Sequence, residues 1–562
     1  MIRRALLLAG LVLAVTAPAA HAHAVLEATT PERGAALDAA PREVVFRFSE
    51  AVEIAFGAVR VYGADGAQVQ AGDAYHPGGD NRAVAVRLRG GLPDGGYTAT
   101  YRVVSADSHP ISGGFVFGVG EGGAASAATV GELLDGAAAG PVTSVAFAAV
   151  RAVQFGAIAL AVGGFAVLLL VWLPAARAAG GAGRVAAEAA FAARWRQVVL
   201  AAAAAGLAAS LLGLVLQAAT ASGATFWAAL GDAGTVLDTR FGTVWGLGAL
   251  AWLVVGLLAL ARWRAALALP LAWLVCLPAL GGHASVQEPV AVLLPANVVH
   301  VVAASAWIGG IAVLLLALRA ATRELDPADR TRLLAGAIGR FSTVALVSVA
   351  ALLAGGVVQS VLELDAWDDL LDTAYGRAIV VKSVLVLLLL GAGWVNRRRT
   401  LPALARAAAA GAEPGAPGRL LRRTLRAEVA LGVAALAATG ALAGYSPPGT
   451  TARGPFAASG DLGPARAELT VEPALAGPNE VHLYFFDRAD GTQWDATREL
   501  TVRVALPERD IAPIELDARK AGPGHYVIGG APLAPAGDWA LELAARVSEF
   551  DEHRARFVVP IE

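Results

Sequence analysis

Gly163-Gly164-Phe165-Ala166-Val167-Leu168-Leu169-Leu170 and its near copy Gly309-Gly310-Ile311-Ala312-Val313-Leu314-Leu315-Leu316 decide the architecture of most of this chain. Each lies in an apolar run of the length that crosses a bilayer, about 20 residues. A second pair keeps the same order: Leu237-Asp238-Thr239-Arg240-Phe241-Gly242 returns as Leu371-Asp372-Thr373-Ala374-Tyr375-Gly376. Working outward from these copies gives about eight apolar segments, centred in 148–173, 197–219, 241–260, 265–281, 297–318, 341–362, 377–395 and 427–445. Four spans separate the copies, so both halves insert with one orientation, a four-helix parallel repeat. Duplicated halves are common among transporters. Composition agrees, because 562 residues with 56% hydrophobic and 16% charged side chains are too apolar for an ordinary soluble protein and long enough for several domains.

Basic residues orient the bundle. Arg177, Arg184, Arg194 and Arg196 follow the first span, Arg262 and Arg264 the third, and Arg319, Arg323, Arg330, Arg332 and Arg340 the fifth. Arg397, Arg398, Arg399, Arg406, Arg419, Arg422, Arg423 and Arg426 precede the eighth. The alternate loops carry Asp232, Asp238, Glu288, Glu363, Asp365, Asp368, Asp369 and Asp372, with Arg240 and Arg377 as their basic residues. This pattern puts the basic loops in the cytoplasm and both chain ends outside. The net charge of −2 therefore averages segments expected on opposite sides of a membrane.

The start of the chain agrees with that orientation. Arg3 and Arg4, an apolar run from Ala5 to Val15 and the small residues up to Ala20-His21-Ala22 read as a signal peptide, residues 1–22. Cleavage after Ala22 makes His23 the new terminus, whereas cleavage after Ala24 deletes it. A free α-amine and the imidazole of His23 can chelate one metal. With Asp107 and His109 of Asp107-Ser108-His109-Pro110 they complete a tetragonal N/O set, the preference of Cu(II). The bland alternative is a disordered terminus plus a turn in which Asp107 caps neighbouring amides. Cys276 is the sole cysteine and Met1 the sole methionine, so no intrachain disulfide, CxxC site or thioether Cu(I) relay is available.

From His23 to Gly120 the runs 44–48, 58–62, 83–88 and 97–104 read as strands separated by turns such as Gly63-Ala64-Asp65-Gly66 and Pro93-Asp94-Gly95-Gly96. An all-β Greek-key sandwich or barrel is expected over 23–120. With its His start, Thr30-Pro31-Glu32-Arg33-Gly34, Pro41 through Phe48-Ser49-Glu50, and Val103-Val104-Ser105-Ala106-Asp107-Ser108-His109-Pro110-Ile111-Ser112-Gly113, this region resembles the bacterial copper-resistance CopC family. The resemblance implies Cu(II) held by His23, Asp107 and His109. It also implies a Met-rich Cu(I) loop in some members, which this chain lacks.

Residues 121–147 read as a Gly/Ala/Ser-rich linker, and 148–445 as the membrane domain. Gly282-His283-Ala284, Asn297-Val298-Val299-His300, Trp307-Ile308-Gly309-Gly310, Arg340-Phe341-Ser342 and Tyr375-Gly376 leading to Lys382 resemble the CopD family of membrane proteins. That resemblance implies copper passage across the bacterial inner membrane, and the fusion looks like a CopC–CopD architecture. From 446 to 562 strand-like runs at 466–471, 481–486, 500–504, 539–545 and 556–559 predict a second external β-sandwich, which resembles a small immunoglobulin-like domain of related fusions.

His283, Asn297 and His300 are the candidate transport residues, with Asn297 one turn before His300 on the same helical face. Polar groups in spans usually face a cavity or the bundle interior. Here they could pass metal, bind haem or tie helices together by hydrogen bonds. The repeat places Gln154 at the position of His300. Lys382 is expected to snorkel towards the acidic loop Glu363 to Asp372, which either concentrates cations or is merely solvated. Trp307 and the Gly-Gly pairs read as helix packing. His76 and His553 read as ordinary surface or strand residues, as do His482 and His525, which could also pair with each other.

The expected function is copper capture outside and transport across the inner membrane, with import as the expected direction and copper ions, the lipid bilayer and periplasmic copper chaperones as partners. Nucleic acid is not among them, and the oligomeric state is left open. One alternative is sequestration for resistance with the membrane part as anchor or sensor, and another is a haem-containing redox protein acting on copper. A His-terminated copper site could also do oxidative chemistry, but a carboxylate such as Asp107 stabilises Cu(II), so no enzyme is expected. No GxxxxGK[ST] loop occurs, which argues against direct ATP drive.

Overall fold

The computed structural model describes residues 24, 26–32, 35–54, 58–63, 66–106, 108, 110–120, 140–180, 183–287, 289–364, 367, 369–445, 456–472, 474, 476–488 and 492–561. The expected signal peptide, most of the expected linker, and His23, Asp107, His109, Glu288, Asp365 and Asp368 lie outside the described residues.

Strand alternation builds the N-terminal domain. In β3 (Glu43–Phe48) the residues Val44, Phe46 and Phe48 are buried while their neighbours face outward, the period of two that a half-buried strand requires. One sheet has the order β1-β3-β7-β6, with β1 at Leu26–Thr30, β6 at Gln70–Tyr75 and β7 at Ala83–Leu88. The other has the order β2-β9-β8-β4, with β2 at Ala36–Leu37, β4 at Val52–Glu53, β8 at Gly95–Ser105 and β9 at Pro110–Val119; β5 (Val59–Gly63) also pairs β8. Phe46 packs edge-on against Phe115 at 5.3 Å, and Phe48 against Tyr101 at 5.2 Å, in the tilted geometry aromatic quadrupoles prefer.

Among the described residues the membrane unit has seven helices long and apolar enough to span: α1 (Pro141–Ala179), α2 (Arg184–Ser222), α3 (Arg240–Leu260), α5 (Val290–Thr322), α6 (Pro327–Glu363), α7 (Ala374–Ala409) and α8 (Gly415–Leu442). The expected fourth span is present as the shorter α4, Ala265–Leu280, which ends at Gly281-Gly282 just past Pro278. The repeat governs packing. A Cβ on Gly309 would overlap the Ala159 carbonyl of α1, and one on Gly163 would overlap the Ser305 carbonyl of α5. The two Gly-Gly copies thus form one close crossing between equivalent helices, a small-residue contact of the kind membrane helices use. Both helices carry a π-type turn beside it, Val167–Trp172 and Ser305–Gly309. The second repeat is a pair of equivalent caps. Thr239 and Thr373 each accept from the backbone N–H three residues on, Gly242 at 3.1 Å and Gly376 at 2.9 Å, as N-cap hydroxyls do. Each glycine lies where a Cβ would strike the preceding turn.

The C-terminal part is a second sandwich. A five-stranded sheet, β10-β11-β12-β16-β15, and a four-stranded sheet, β14-β13-β17-β18, enclose Leu469, Val481, Leu483, Phe485, Val504, Trp539, Leu541 and Phe557. Their strands are β10 (Phe456–Leu462), β11 (Ala465–Glu472), β12 (Gly477–Asp487), β13 (Glu499–Leu506), β14 (Ile511–Leu516), β15 (Arg519–Gly522), β16 (His525–Leu533), β17 (Gly537–Arg546) and β18 (Glu552–Ile561).

Candidate metal centres

In the N-terminal domain the described neighbours of the expected copper ligands form a connected frame. Strands β8 and β9 pair up to Val104↔Pro110, leaving 106–109 as their connection. Within it Ser108 has a φ of 74°, and its N–H donates to Ser105 O at 2.9 Å. Ala24 is buried in the domain core, and its N–H lies 3.4 Å from Ser105 Oγ, which donates to Glu50 Oε1 at 2.6 Å. The residue after His23 is therefore tied to the strand end two residues before Asp107. Glu50 of the Phe48-Ser49-Glu50 motif is part of that tie, a role that sequence reasoning did not assign. Among the described residues no group of three or more His, Cys, Asp or Glu side chains is placed to hold a metal.

The membrane unit gathers polar side chains on α5, α6 and α7. Asn297 donates to Gln359 Oε1 at 3.0 Å, and Gln359 donates back to Gly355 O of its own helix. Gly355 and Gly356 make room for the His300 ring. The Asn297 Oδ1 and His300 Nδ1 atoms are buried with no hydrogen-bond partner. His283 begins a short 3₁₀ turn, His283–Ser285, after α4. It lies within electrostatic reach of Glu363, as does Lys382, and Lys382 in turn acts on His300.

Tyr375 takes up the Glu363 carboxylate through a short hydrogen bond from its hydroxyl. Among the described residues Lys382 makes no direct ion pair, and Asp365 and Asp368 of the acidic loop lie outside them. Gln154, the counterpart of His300, is wholly buried and consumed by the protein. With one amide orientation it donates to Gly206 O at 2.9 Å and accepts from Trp252 Nε1 at 3.1 Å, and with the other it lies 3.3 Å from Ser210 Oγ. Sequence reasoning missed Gln359, and it missed a second polar node where Asn396 donates to Glu428 Oε1 at 2.6 Å and Thr424 donates to Asn396 Oδ1 at 2.7 Å. A carboxylate at the edge of an apolar segment was the available signal for Glu428.

In the C-terminal sandwich His482 Nδ1 and His525 Nε2 lie 3.2 Å apart, the pairing the sequence left open. His76 bonds the Ala83 carbonyl at 2.8 Å through Nδ1, and His553 packs edge-on against Trp494. Trp307 is buried at the Gly-Gly crossing, as a packing residue is.

Three family models match separate parts of the chain: the CopC domain over residues 26–120, the copper resistance protein D-like N-terminal domain over 142–293, and copper resistance protein D over 335–442. The copper transport protein CutJ of Bacillus subtilis is 28% identical over 490 residues, covering 83% of this chain and 82% of that protein. Copper resistance protein C of Escherichia coli is 32% identical over 20-odd percent of this chain (21%) and 98% of its own length. The solved PcoC of Escherichia coli, described as a methionine-rich copper resistance protein, matches with 31% identity and a TM-score of 0.16, over 17% of this chain and 98% of that one. An N-terminal β domain matched by the CopC model, followed in the same polypeptide by a bundle of apolar helices matched by the two copper resistance protein D models, makes the chain a CopC–CopD fusion of the copper transport and resistance family.

Proposed function

We propose that the protein captures Cu(II) outside the cell membrane with His23, Asp107 and His109 and passes copper inward through the bundle by way of His283, Asn297 and His300. Both β domains then lie outside, and the arginine-rich loops in the cytoplasm. One observation carries the transport role: Asn297 Oδ1 and His300 Nδ1, one helical turn apart, are buried polar atoms with no hydrogen-bond partner. Buried polar atoms are nearly always bonded, so an unsatisfied pair on one face suits a transient cation. Imidazole nitrogen is a good copper ligand. The equivalent Gln154 in the first half has its amide satisfied, so the ion path belongs to the second half.

Capture is supported by the burial of Ala24 and its tie to Ser105, since cleavage after Ala24 would remove both that contact and His23. Copper here is cargo. Asp107 favours the divalent ion at the entrance, and nothing in this reading requires a resident cofactor.

Radioactive copper accumulation in cells at equal membrane abundance tests the proposal. Asp107→Ala/His109→Ala and His283→Ala/His300→Ala should each reduce uptake at limiting copper at least several-fold. Accumulation equal to that of cells lacking the protein, in wild type and both variants, would leave sequestration as the better reading.

A further inference from the structure

The C-terminal sandwich carries a group of side chains that its fold does not need. Residues 481, 483 and 485 of β12 and 526 and 528 of β16 point into the core. The opposite face of the same strands presents Glu480, His482 and Tyr484 beside His525, in the register Tyr484↔His525 and His482↔Val527. His482 and His525 are thus diagonal neighbours, the spacing at which long side chains on adjacent strands meet. Both are buried, at 8% and 5% exposure. Tyr484 stacks on His525 with ring centroids 4.3 Å apart and planes 10° from parallel.

We propose that His482 Nδ1 and His525 Nε2 form a two-nitrogen site for Cu(I). Their separation is 3.2 Å. Two metal–imidazole bonds of about 2 Å meeting at a tetrahedral angle span roughly 3.3 Å, and laid end to end they span roughly 4 Å. A bent site therefore fits the rings as they stand, and a linear one needs them to part by less than about 1 Å. Divalent copper or zinc asks for about four donors, and no third His, Cys, Asp or Glu joins this pair among the described residues. A monovalent d10 ion is content with two.

The outer partner is also present. Glu480 Oε1 lies 3.3 Å from His482 Nε2, the ring nitrogen on the far side from His525. A carboxylate there holds the proton on Nε2 and leaves the Nδ1 lone pair for a metal, the carboxylate–histidine–metal arrangement that orients ligands in metal sites. Without metal, His525 Nε2–H donates to that lone pair. On binding, the ion replaces this proton, which returns to Nδ1 of the same ring through solvent, so the imidazole stays neutral and no net proton is released. Burial and the neighbouring His482 push the His525 imidazole down to about 3, so that ring is neutral at ordinary pH.

The composition gives the site its place. With methionine only at position 1 and cysteine only at 276 inside α4, the sandwich has no sulfur with which to hold Cu(I). Paired imidazoles are the remaining donors. The inference rests on copper handling by the family and is independent of the direction of transport.

Anaerobic titration of the full-length protein in detergent with Cu(I), against a competing chelator, tests it. His482→Gln and His525→Gln, which keep polar partners on the sheet, should each bind one Cu(I) fewer than wild type with an unchanged melting temperature, and Tyr484→Phe should keep the full number. The same equivalent should persist in His283→Ala/His300→Ala, so failure of the transport path and failure of this site give different results. X-ray absorption of Asp107→Ala/His109→Ala/His283→Ala/His300→Ala, which lacks the other proposed copper ligands, should show copper with two nitrogen neighbours. Equal Cu(I) stoichiometry in wild type and either folded glutamine variant overturns the proposal. So does a four-coordinate spectrum, which needs no mutation of the pair to be read.

Discussion

Gln154 and His300 occupy equivalent positions in the two halves and have opposite hydrogen-bond states. The glutamine is satisfied by Gly206 and Trp252, whereas His300 Nδ1 is buried without a partner. Gln154→Leu leaves the Trp252 indole and Gly206 carbonyl without their amide, at a cost of about 1–3 kcal/mol for buried groups left unpaired. Its melting temperature should fall while copper uptake per folded molecule is kept, and a loss of uptake at unchanged stability would contradict that assignment. A second residue-scale prediction concerns pH. The His525 imidazole titrates near 6.5 when unfolded and near 3 when buried in the sandwich. Between these values the unfolded state binds more protons. Its contribution to stability is therefore complete above about 6.5, falls by up to about 1.4 kcal/mol per pH unit as pH drops through the window, and levels off near 3. His525→Gln should flatten that part of the stability–pH curve, measured by thermal unfolding of the full-length protein.

At the scale of elements, the repeated caps and the repeated crossing do different work. Thr239→Val and Thr373→Val each remove one N-cap acceptor, and each should cost about 1 kcal/mol in unfolding measurements while leaving the helices in place. Gly309→Val is of another order, because the new side chain meets the Ala159 backbone, which cannot rotate away. Its expected result is loss of the folded, detergent-soluble bundle, with Ala312→Val on the same helix as a control that survives. These elements also show what could be read from sequence. The apolar runs and the two duplicated motifs were legible, since period, length and Gly-Gly spacing are local properties. Strands such as β3 and β5 were legible from alternation, but β16 was not: His525-Tyr526-Val527-Ile528 is buried on both faces, so alternation vanishes. Gln359 was invisible for a related reason. Its role depends on α5 and α6 lying side by side, which no spacing within either helix records.

At the scale of the whole molecule, sidedness depends on how many helices cross. An even number places both chain ends on one side, and the arginine pattern asks for that arrangement. A phosphatase that is active only outside the cytoplasm, fused after Glu562, should therefore be active. An inactive fusion, with a cytoplasmic reporter active in its place, would mean seven crossings and would reverse the sidedness of the C-terminal sandwich. The deciding element is α4. At Ala265–Leu280 it is about 24 Å long, against roughly 30 Å of hydrocarbon. Lipid answers a short helix by thinning around it, or water descends to meet its end. Either response would leave a dimple above Gly281-Gly282-His283, so that a hydrated ion would shed its water deeper than the surrounding membrane surface, with less low-dielectric distance left to cross.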